Sequence, residues 1–304
     1  MSTTRDRLLF FGTDAFSVPS FIRLLTEGWD IAGIITRPDA PAGRGQQSTM
    51  PAVKHLALAK KIPVLQPARL DQDTAAKIKT LGPTAGIVVA YGQIIPKSII
   101  SLFAKGLINV HASLLPRHRG AVPIEAALLA GDDATGVTLM RLDPGLDTGP
   151  TFGAAKIQLT GAETRLSLYE QLAETGADLL ASKLPAILEG TIVAIPQNNS
   201  RATYAARLTK AAGHLDWTKP AVALERQIRA YLGWPGSRTQ LAGAGVTITA
   251  AHTTPHTGTP GTPYRTPAGE LAVYTGQGSL VIDRLIPAGR REMTGHEFLA
   301  GHPV

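Results

Sequence analysis

Over the first half of the chain, short runs of apolar residues alternate with segments whose apolar positions recur three or four apart. Runs at 8–11, 31–35, 62–65, 86–90 and 107–110 are nearly continuously apolar and predict strands. Segments at 21–25, 53–61, 75–79 and 96–103 have helical spacing and predict the helices between them. Strands apolar on both faces and separated by helices predict an α/β fold with a doubly wound, mostly parallel, Rossmann-like sheet. In such a sheet, ligands bind beyond the carboxyl ends of the strands. A long amphipathic helix follows at 166–188, with Leu168, Leu172, Leu179 and Leu180 on its apolar side, and Gly190 ends it. The stretch 190–207, with Pro196, Asn198, Asn199 and Ser200, has no clear period and reads as a linker between domains 1–189 and 208–304. Pro220 opens a further helix that reaches Tyr231. Beyond it, Gly, Thr and Pro separate short β runs at 246–250, 271–274 and 279–282, which predicts a smaller C-terminal β-barrel of the OB-like type. The Thr- and Pro-rich segment 253–267 is expected to be a flexible loop.

Composition narrows the chemistry. At 44% apolar and 17% charged residues, the 304-residue chain is globular and long enough for two domains. No apolar run reaches the roughly 20 residues that cross a bilayer. The N-terminus lacks the apolar region and cleavage site of a signal peptide, so no membrane association and a cytoplasmic protein are expected. With no cysteine, disulfides, thiolate catalysis and Cys-ligated zinc are excluded. The turn after the first strand has one glycine, Gly12, rather than G-x-G-x-x-G, and there is no P-loop or H-E-x-x-H. Neither a dinucleotide, an NTP nor a metal is expected. The net charge of +7 is uneven: residues 201–304 hold 11 Lys and Arg against 6 Asp and Glu, whereas residues 1–200 hold 19 against 17. A basic last third suits a polyanion such as RNA, or is a merely solvated surface. Nothing in the sequence demands a dimer, and a monomer is expected.

Two stretches carry candidate chemistry. Asn109 and His111 stand two apart at a strand end, so they share one face of the sheet. Asp147 lies in the Gly- and Pro-framed run Leu142-Asp143-Pro144-Gly145-Leu146-Asp147-Thr148-Gly149-Pro150. An amide, an imidazole and a carboxylate suit acyl transfer to an amine. Asn109 and protonated His111 can donate to a developing oxyanion, and Asp147 can balance the imidazolium or pass on a proton. Each residue also has a structural role open to it: an Asn closing a strand, a packed His, an Asp in a turn.

The run Asn109-Val110-His111-Ala112-Ser113-Leu114-Leu115-Pro116, followed by Leu146-Asp147-Thr148-Gly149, resembles the formyltransferases that use 10-formyltetrahydrofolate. The resemblance implies that Asn109, His111 and Asp147 are the catalytic set. It implies that Ser113, Leu114, Leu115 and Pro116 contribute to binding the reduced folate, and that Val88 to Gly92, with Val89 and Tyr91, form the pterin-side strand and loop. The run from Thr36 to Gly45 resembles a loop by which some family members engage a tRNA acceptor end, with Arg44 at its key basic position. Leu215-Asp216-Trp217, Gly233-Trp234-Pro235-Gly236 and the stretches 287–293 and 297–299 are also similar to those members. The implied acceptor is initiator methionyl-tRNA; Lys210, Arg226, Arg229 and Arg238 are then expected to attract its backbone, and Phe16, from its place at the edge of the site after the first strand, to line a methionine pocket. An amino sugar nucleotide as acceptor, or a non-catalytic folate- or RNA-binding protein, are the alternative readings.

Overall fold

The computed structural model describes residues 6–42 and 47–304. The chain divides into two compact units. One is Met1–Pro123 with Ala134–Gln158 and Tyr169–Ala205; the other is Ile124–Asp133 with Leu159–Leu168 and Ala206–Val304.

The first unit carries β1 (Arg7–Gly12), β2 (Asp30–Ile35), β3 (Ala40–Ala42), β4 (Gln47–Thr49), β5 (Val64–Leu65), β6 (Ala85–Val89), β7 (Leu107–His111), β8 (Arg119–Gly120), β9 (Ala134–Arg141), β10 (Thr151–Gln158) and β11 (Tyr204–Ala205). Its helices are α1 (Val18–Thr26), α2 (Ala52–Ala59), α3 (Gln72–Leu81) and α4 (Lys97–Ile100). Most of α5 (Pro123–Ala130) and the first residues of α6 (Arg165–Glu189) are assigned to the second unit. Seven strands form one sheet in the order β10-β9-β7-β6-β1-β2-β5. From β7 to β5 every pairing is parallel, and β9 runs antiparallel to both β7 and β10.

Burial explains the strand sequences. Leu8, Leu9, Phe10 and Phe11 of β1 are fully buried on both faces, so the strand is continuously apolar rather than alternating. On one face Leu9, Phe11, Ile35, Ile78 of α3, Ile99 of α4, Phe103 and Leu107 form a single core cluster. Phe11 meets Tyr91 and Phe103 edge-on, with ring centroids 5.6 and 6.0 Å apart. The strand order reverses between β1 and β6, and the two loops that leave this point are tied together. The backbone N–H of Asp14 donates to Ala90 O at 3.3 Å, and Thr13 Oγ1 donates to Tyr91 O at 3.0 Å. Gly12 must be small: a Cβ there would sit 2.6 Å from the Phe10 ring and 2.8 Å from Ser17.

The structure adds what local patterns did not carry. In β9 the apolar residues are interrupted by Thr and Gly, and β10 is built largely of Gly, Ala and alternating exposed residues, so neither reads as a buried parallel strand. The helix expected over 96–103 closes at Ile100. Beyond it Leu102 and Phe103 donate to carbonyls three residues back, in single turns that carry Phe103 into the core. The stretch expected as a linker belongs to the first unit up to Ala205, because β11 pairs in parallel with β8.

The second unit holds α7 (Ala221–Ala230), β12 (Ser237–Leu241), β13 (Ala244–Thr254), β14 (Pro263–Arg265), β15 (Leu271–Tyr274), β16 (Ser279–Pro287), β17 (Met293–Thr294) and α8 (Gly295–Gly301). The strands pair antiparallel in the order β12-β13-β16-β15-β14, with β17 on β16, and curl into a half-barrel. Register shifts in β13 between Ile248 and Ala250 and between Ala250 and Ala251 supply the bending. The segment 253–267 is not wholly loop: β13 extends to Thr254, and Pro263–Arg265 adds an edge strand to β15. Leu224 and Ile228 of α7, Ile248, Val273, Leu280, Leu285 and Phe298 of α8 share the core.

A capping box starts α8. Glu297 N donates to Thr294 Oγ1 at 3.1 Å, and Thr294 N donates to Glu297 Oε2 at 2.7 Å. The Thr294 backbone N–H, followed by its hydroxyl, holds the Glu297 carboxyl below the usual carboxylate value. Phe298→Ala should destabilise this unit by about 3–5 kcal/mol, read by urea unfolding of the full chain. Thr294→Ala should also destabilise it. Glu297 has a depressed folded-state pKa, so its contribution is complete above the unfolded value and fades as pH falls through the folded one. The stability gap between wild type and Thr294→Ala should therefore narrow on acidification below about pH 4.

Candidate active site

β7 delivers the amide and the imidazole. Asn109 and His111 are 8% and 6% exposed, two apart on a strand flanked in register by Val88, Met140 and Thr138. His111 Nε2 lies 3.1 Å from the carbonyl oxygen of His118. A carbonyl only accepts, so this contact places a proton on Nε2 and leaves Nδ1 to face the carboxylate of Asp147, whose Oδ2 is 3.8 Å away. A second proton on Nδ1 would give an imidazolium held between two oxygens.

Asp147 reaches this place by an indirect route. Because β9 runs against β7, the loop after it starts beside the first residue of β7, where Leu142 N donates to Leu107 O at 2.8 Å. The loop then closes on itself: Asp143 Oδ1 accepts from Gly145 N at 3.1 Å and from Thr148 Oγ1 at 2.8 Å. Asp147 takes a left-handed φ of 51°, and its Oδ2 accepts from Gly120 N at 2.8 Å.

The segment after His111 is a rigid turn. Ser113 is fully buried and its hydroxyl donates to Arg117 O at 2.6 Å. Thr138 of β9 joins both sides of the turn, donating to Ser113 O at 2.7 Å and accepting from Leu115 N at 3.1 Å. Leu114, Leu115 and Pro116 are half-buried, and the Leu115–Pro116 bond is cis. His118 has φ 56° and donates its backbone N–H to Thr203 Oγ1 at 2.8 Å.

On the neighbouring loop Val89 is fully buried and Tyr91 is 2% exposed. Burial pushes the Tyr91 phenol up to about 12, against a smaller opposing effect of Arg37, so it stays a neutral donor, here to Gln93 Oε1 at 3.3 Å. Two exposed apolar side chains stand on these same loops, Ile94 beyond Tyr91 and Leu146 beside Asp147.

The basic residues singled out in the sequence have different surroundings. Arg44 lies outside the described residues. Lys210 is exposed in a short turn, and its carbonyl accepts from the Arg238 guanidinium. Arg226 and Arg229 of α7 are half-buried. Arg226 Nη1 donates to Ala130 O, the last residue of α5, at 3.4 Å, where a cation complements the helix dipole. Arg229 pairs with Glu225 and donates to Glu163 O at 2.8 Å, so its charge is already balanced. Phe16 is buried edge-on against Tyr169, with ring centroids 5.3 Å apart, and the Tyr169 hydroxyl donates to Asp14 Oδ1. Among the described residues no group of His, Cys, Asp and Glu could hold a metal ion, and no helix is long and apolar enough to cross a membrane.

Sequence reasoning missed Thr138, Thr203, Arg119 and Gln197, which hold the site loops. Arg119, 1% exposed, donates to Gln197 Oε1 and Asn199 Oδ1, and Gln197 Nε2 donates to Asp147 O and Gly149 O. Gln197 sits in an aperiodic stretch, so only its partners reveal it.

Comparison with known proteins agrees with this architecture. The family model described as formyl transferase matches residues 6–184, and that of the formyl transferase C-terminal domain matches residues 207–303. A relative from Halorhodospira halophila, named methionyl-tRNA formyltransferase, is 46% identical over 299 residues, which cover 97% of this chain and 96% of the relative. The solved N-formyltransferase from Helicobacter canadensis, in complex with folinic acid and dTDP-3-aminofucose, superposes with a TM-score of 0.69 at 18% identity, over 92% of this chain and 99% of that one. HypX from Aquifex aeolicus, in complex with tetrahydrofolic acid, gives a TM-score of 0.65 at 14% identity and covers 98% of this chain, which spans 47% of HypX. The two structural likenesses are likenesses of fold. The family matches and the near full-length identity go further: this chain belongs to the formyl transferase family.

Proposed function

We propose that this chain transfers a formyl group from 10-formyltetrahydrofolate to the α-amino group of the methionine carried by initiator tRNA. The observation that carries this reading is the approach of Asp147 to His111, 3.8 Å apart, in a chain 46% identical to a relative named methionyl-tRNA formyltransferase. The folate supplies the activated formyl carbon. Asn109 and the Nδ1–H of protonated His111 donate to the oxygen that gains charge as the amine attacks. The Nε2–H of that ring is taken by His118 O, and its Nδ1 lies 3.8 Å from Asp147, too far for a hydrogen bond. Asp147 balances the imidazolium and passes the amine's proton to water. As the tetrahedral intermediate collapses, the bond from the formyl carbon to N10 of the folate breaks, N10 takes up a proton from water, and tetrahydrofolate leaves. Residues 113–116, with Val89 and Tyr91, hold the folate. Arg44, Lys210, Arg226 and Arg229 attract the tRNA, with Arg229 contributing least because Glu225 offsets it. Residues 1–189 act as the catalytic part, braced by the stretch up to Ala205, and 208–304 as the tRNA-binding part of a cytoplasmic monomer.

The deciding experiment offers labelled formyl donor with either methionyl-tRNA or a dTDP-amino sugar. Label is expected on the tRNA; label on the sugar alone would transfer the reading to the nucleotide-sugar branch, and label on neither would end it. His111→Ala should lower kcat by about 100- to 1,000-fold while the KM for folate changes little. Wild-type turnover in that variant would remove His111 from the mechanism. Arg44→Ala should raise the KM for methionyl-tRNA by about tenfold, the size of one charge-assisted contact, with kcat retained. The KM for tRNA should also climb with salt, since phosphate contacts release counterions.

A further inference from the structure

We infer that Gln197 is a positioning residue of the reaction, which holds the Asp147 loop in register with His111. This rests on the functional reading of the site given above. Gln197 Nε2 donates to the carbonyl oxygens of Asp147 at 2.8 Å and Gly149 at 2.7 Å. Its Oε1 accepts from Nε and Nη2 of Arg119 at 3.1 and 2.8 Å. A side-chain amide has two N–H donors and one oxygen with two lone pairs, so every hydrogen-bonding position of Gln197 is used. Its orientation is not a free choice. Arg119 carries only donors, so the amide oxygen must face it and the amide nitrogen must face the loop.

Arg119 is itself held on several sides. It is 1% exposed, and Nη2 also donates to Asn199 Oδ1 at 2.8 Å. The next residue, Gly120, donates its backbone N–H to Asp147 Oδ2 at 2.8 Å. Gly120 has φ 120°, and a Cβ there would lie 2.5 Å from Ala205 O, so its backbone is seated directly against β11. Arg119, Gly120 and Gln197 thus form one body that grips Asp147 by both its carboxylate and its carbonyl. Asp147 has φ 51°, a left-handed conformation that an aspartate tolerates, and the grip is what selects it. Without Gln197 the loop would relax toward ordinary backbone angles and withdraw the carboxylate from His111. A misplacement of about 1 Å at a reacting group costs on the order of 100-fold in rate.

Gln197→Glu in the full chain isolates this role. Its carboxylate still faces Arg119, but it sets oxygen against the carbonyls of Asp147 and Gly149. A kcat for methionyl-tRNA about 100-fold lower is expected, with the KM of both substrates within about threefold of wild type. In an Asp147→Ala background the same substitution should lower kcat less than about twofold further, because the two residues act as one unit. A wild-type kcat in Gln197→Glu, or a full multiplicative loss on Asp147→Ala, would overturn the inference. A crystal structure of Gln197→Glu should show the Asp147 carboxylate gone from Gly120 N; a retained bond overturns the clamp whatever the activity. Gln197→Asn keeps the amide with one methylene less and gives the same readouts if the charged variant does not fold. Wild-type protein that formylates no methionyl-tRNA would instead overturn the functional reading, and the crystal structure would still decide the clamp.

Discussion

The imidazole of His111 sits between two oxygens, the carbonyl of His118 and the carboxylate of Asp147, and both come from loops with little regular structure of their own. Everything the site can do depends on those two oxygens staying where they are. A carbonyl on one ring nitrogen sets the tautomer, and a carboxylate stands 3.8 Å from the other. Loops cannot hold such geometry by themselves, because each residue in them is free to trade one backbone angle for another at little cost. The surrounding structure is therefore a set of restraints on two short segments. Thr138 and Thr203 fasten the turn that carries His118, while Gly120 and Gln197 fasten the loop that carries Asp147.

The sheet supplies the fixed frame. Its parallel strands are buried on both faces, so β7 cannot shift register without moving Ile108 and Val110 out of the core. That locks Asn109 and His111 to one face. The reversal of strand order between β1 and β6 opens the ends of those strands, and the loops leaving them are joined by Thr13 and Asp14. The antiparallel β9 is the less expected part of the frame. It sends the Asp147 loop off from the far end of β7, so five residues must travel back before the carboxylate meets the ring. A route of that length explains why the loop is braced internally by Asp143 and externally by Gln197.

The second unit shows how charge read from a sequence differs from charge available at a surface. The last third of the chain is basic, yet Arg229 is balanced by Glu225, Arg284 by Glu292, and Arg226 rests on the carbonyl end of α5. These arginines stabilise the unit's own elements. The same unit folds around an apolar set drawn from α7, β13, β15, β16 and α8, which is why a curled sheet with short edge strands can stand as a compact body.

What the amino-acid order determined alone is what neighbouring residues enforce on one another. Nearly continuous apolar runs defined β1, β2, β6 and β7, because a strand buried on both faces is largely apolar; the polar exceptions in β7, Asn109 and His111, are the site residues. The two-residue period of a strand put Asn109 beside His111, and helical spacing found α1, α3, α6 and α7. Only the tertiary structure decided that Asp147 meets His111, that Gln197 bonds to the Asp147 loop, and that Arg229 has a carboxylate partner in Glu225. The first two rest on bonds between residues far apart in sequence: Gly120 with Asp147 at 27 positions, Gln197 with Asp147 at 50, Arg119 with Gln197 at 78. Such bonds leave no local period, since their partners are chosen by where the folded backbone passes and not by what precedes or follows them in the chain.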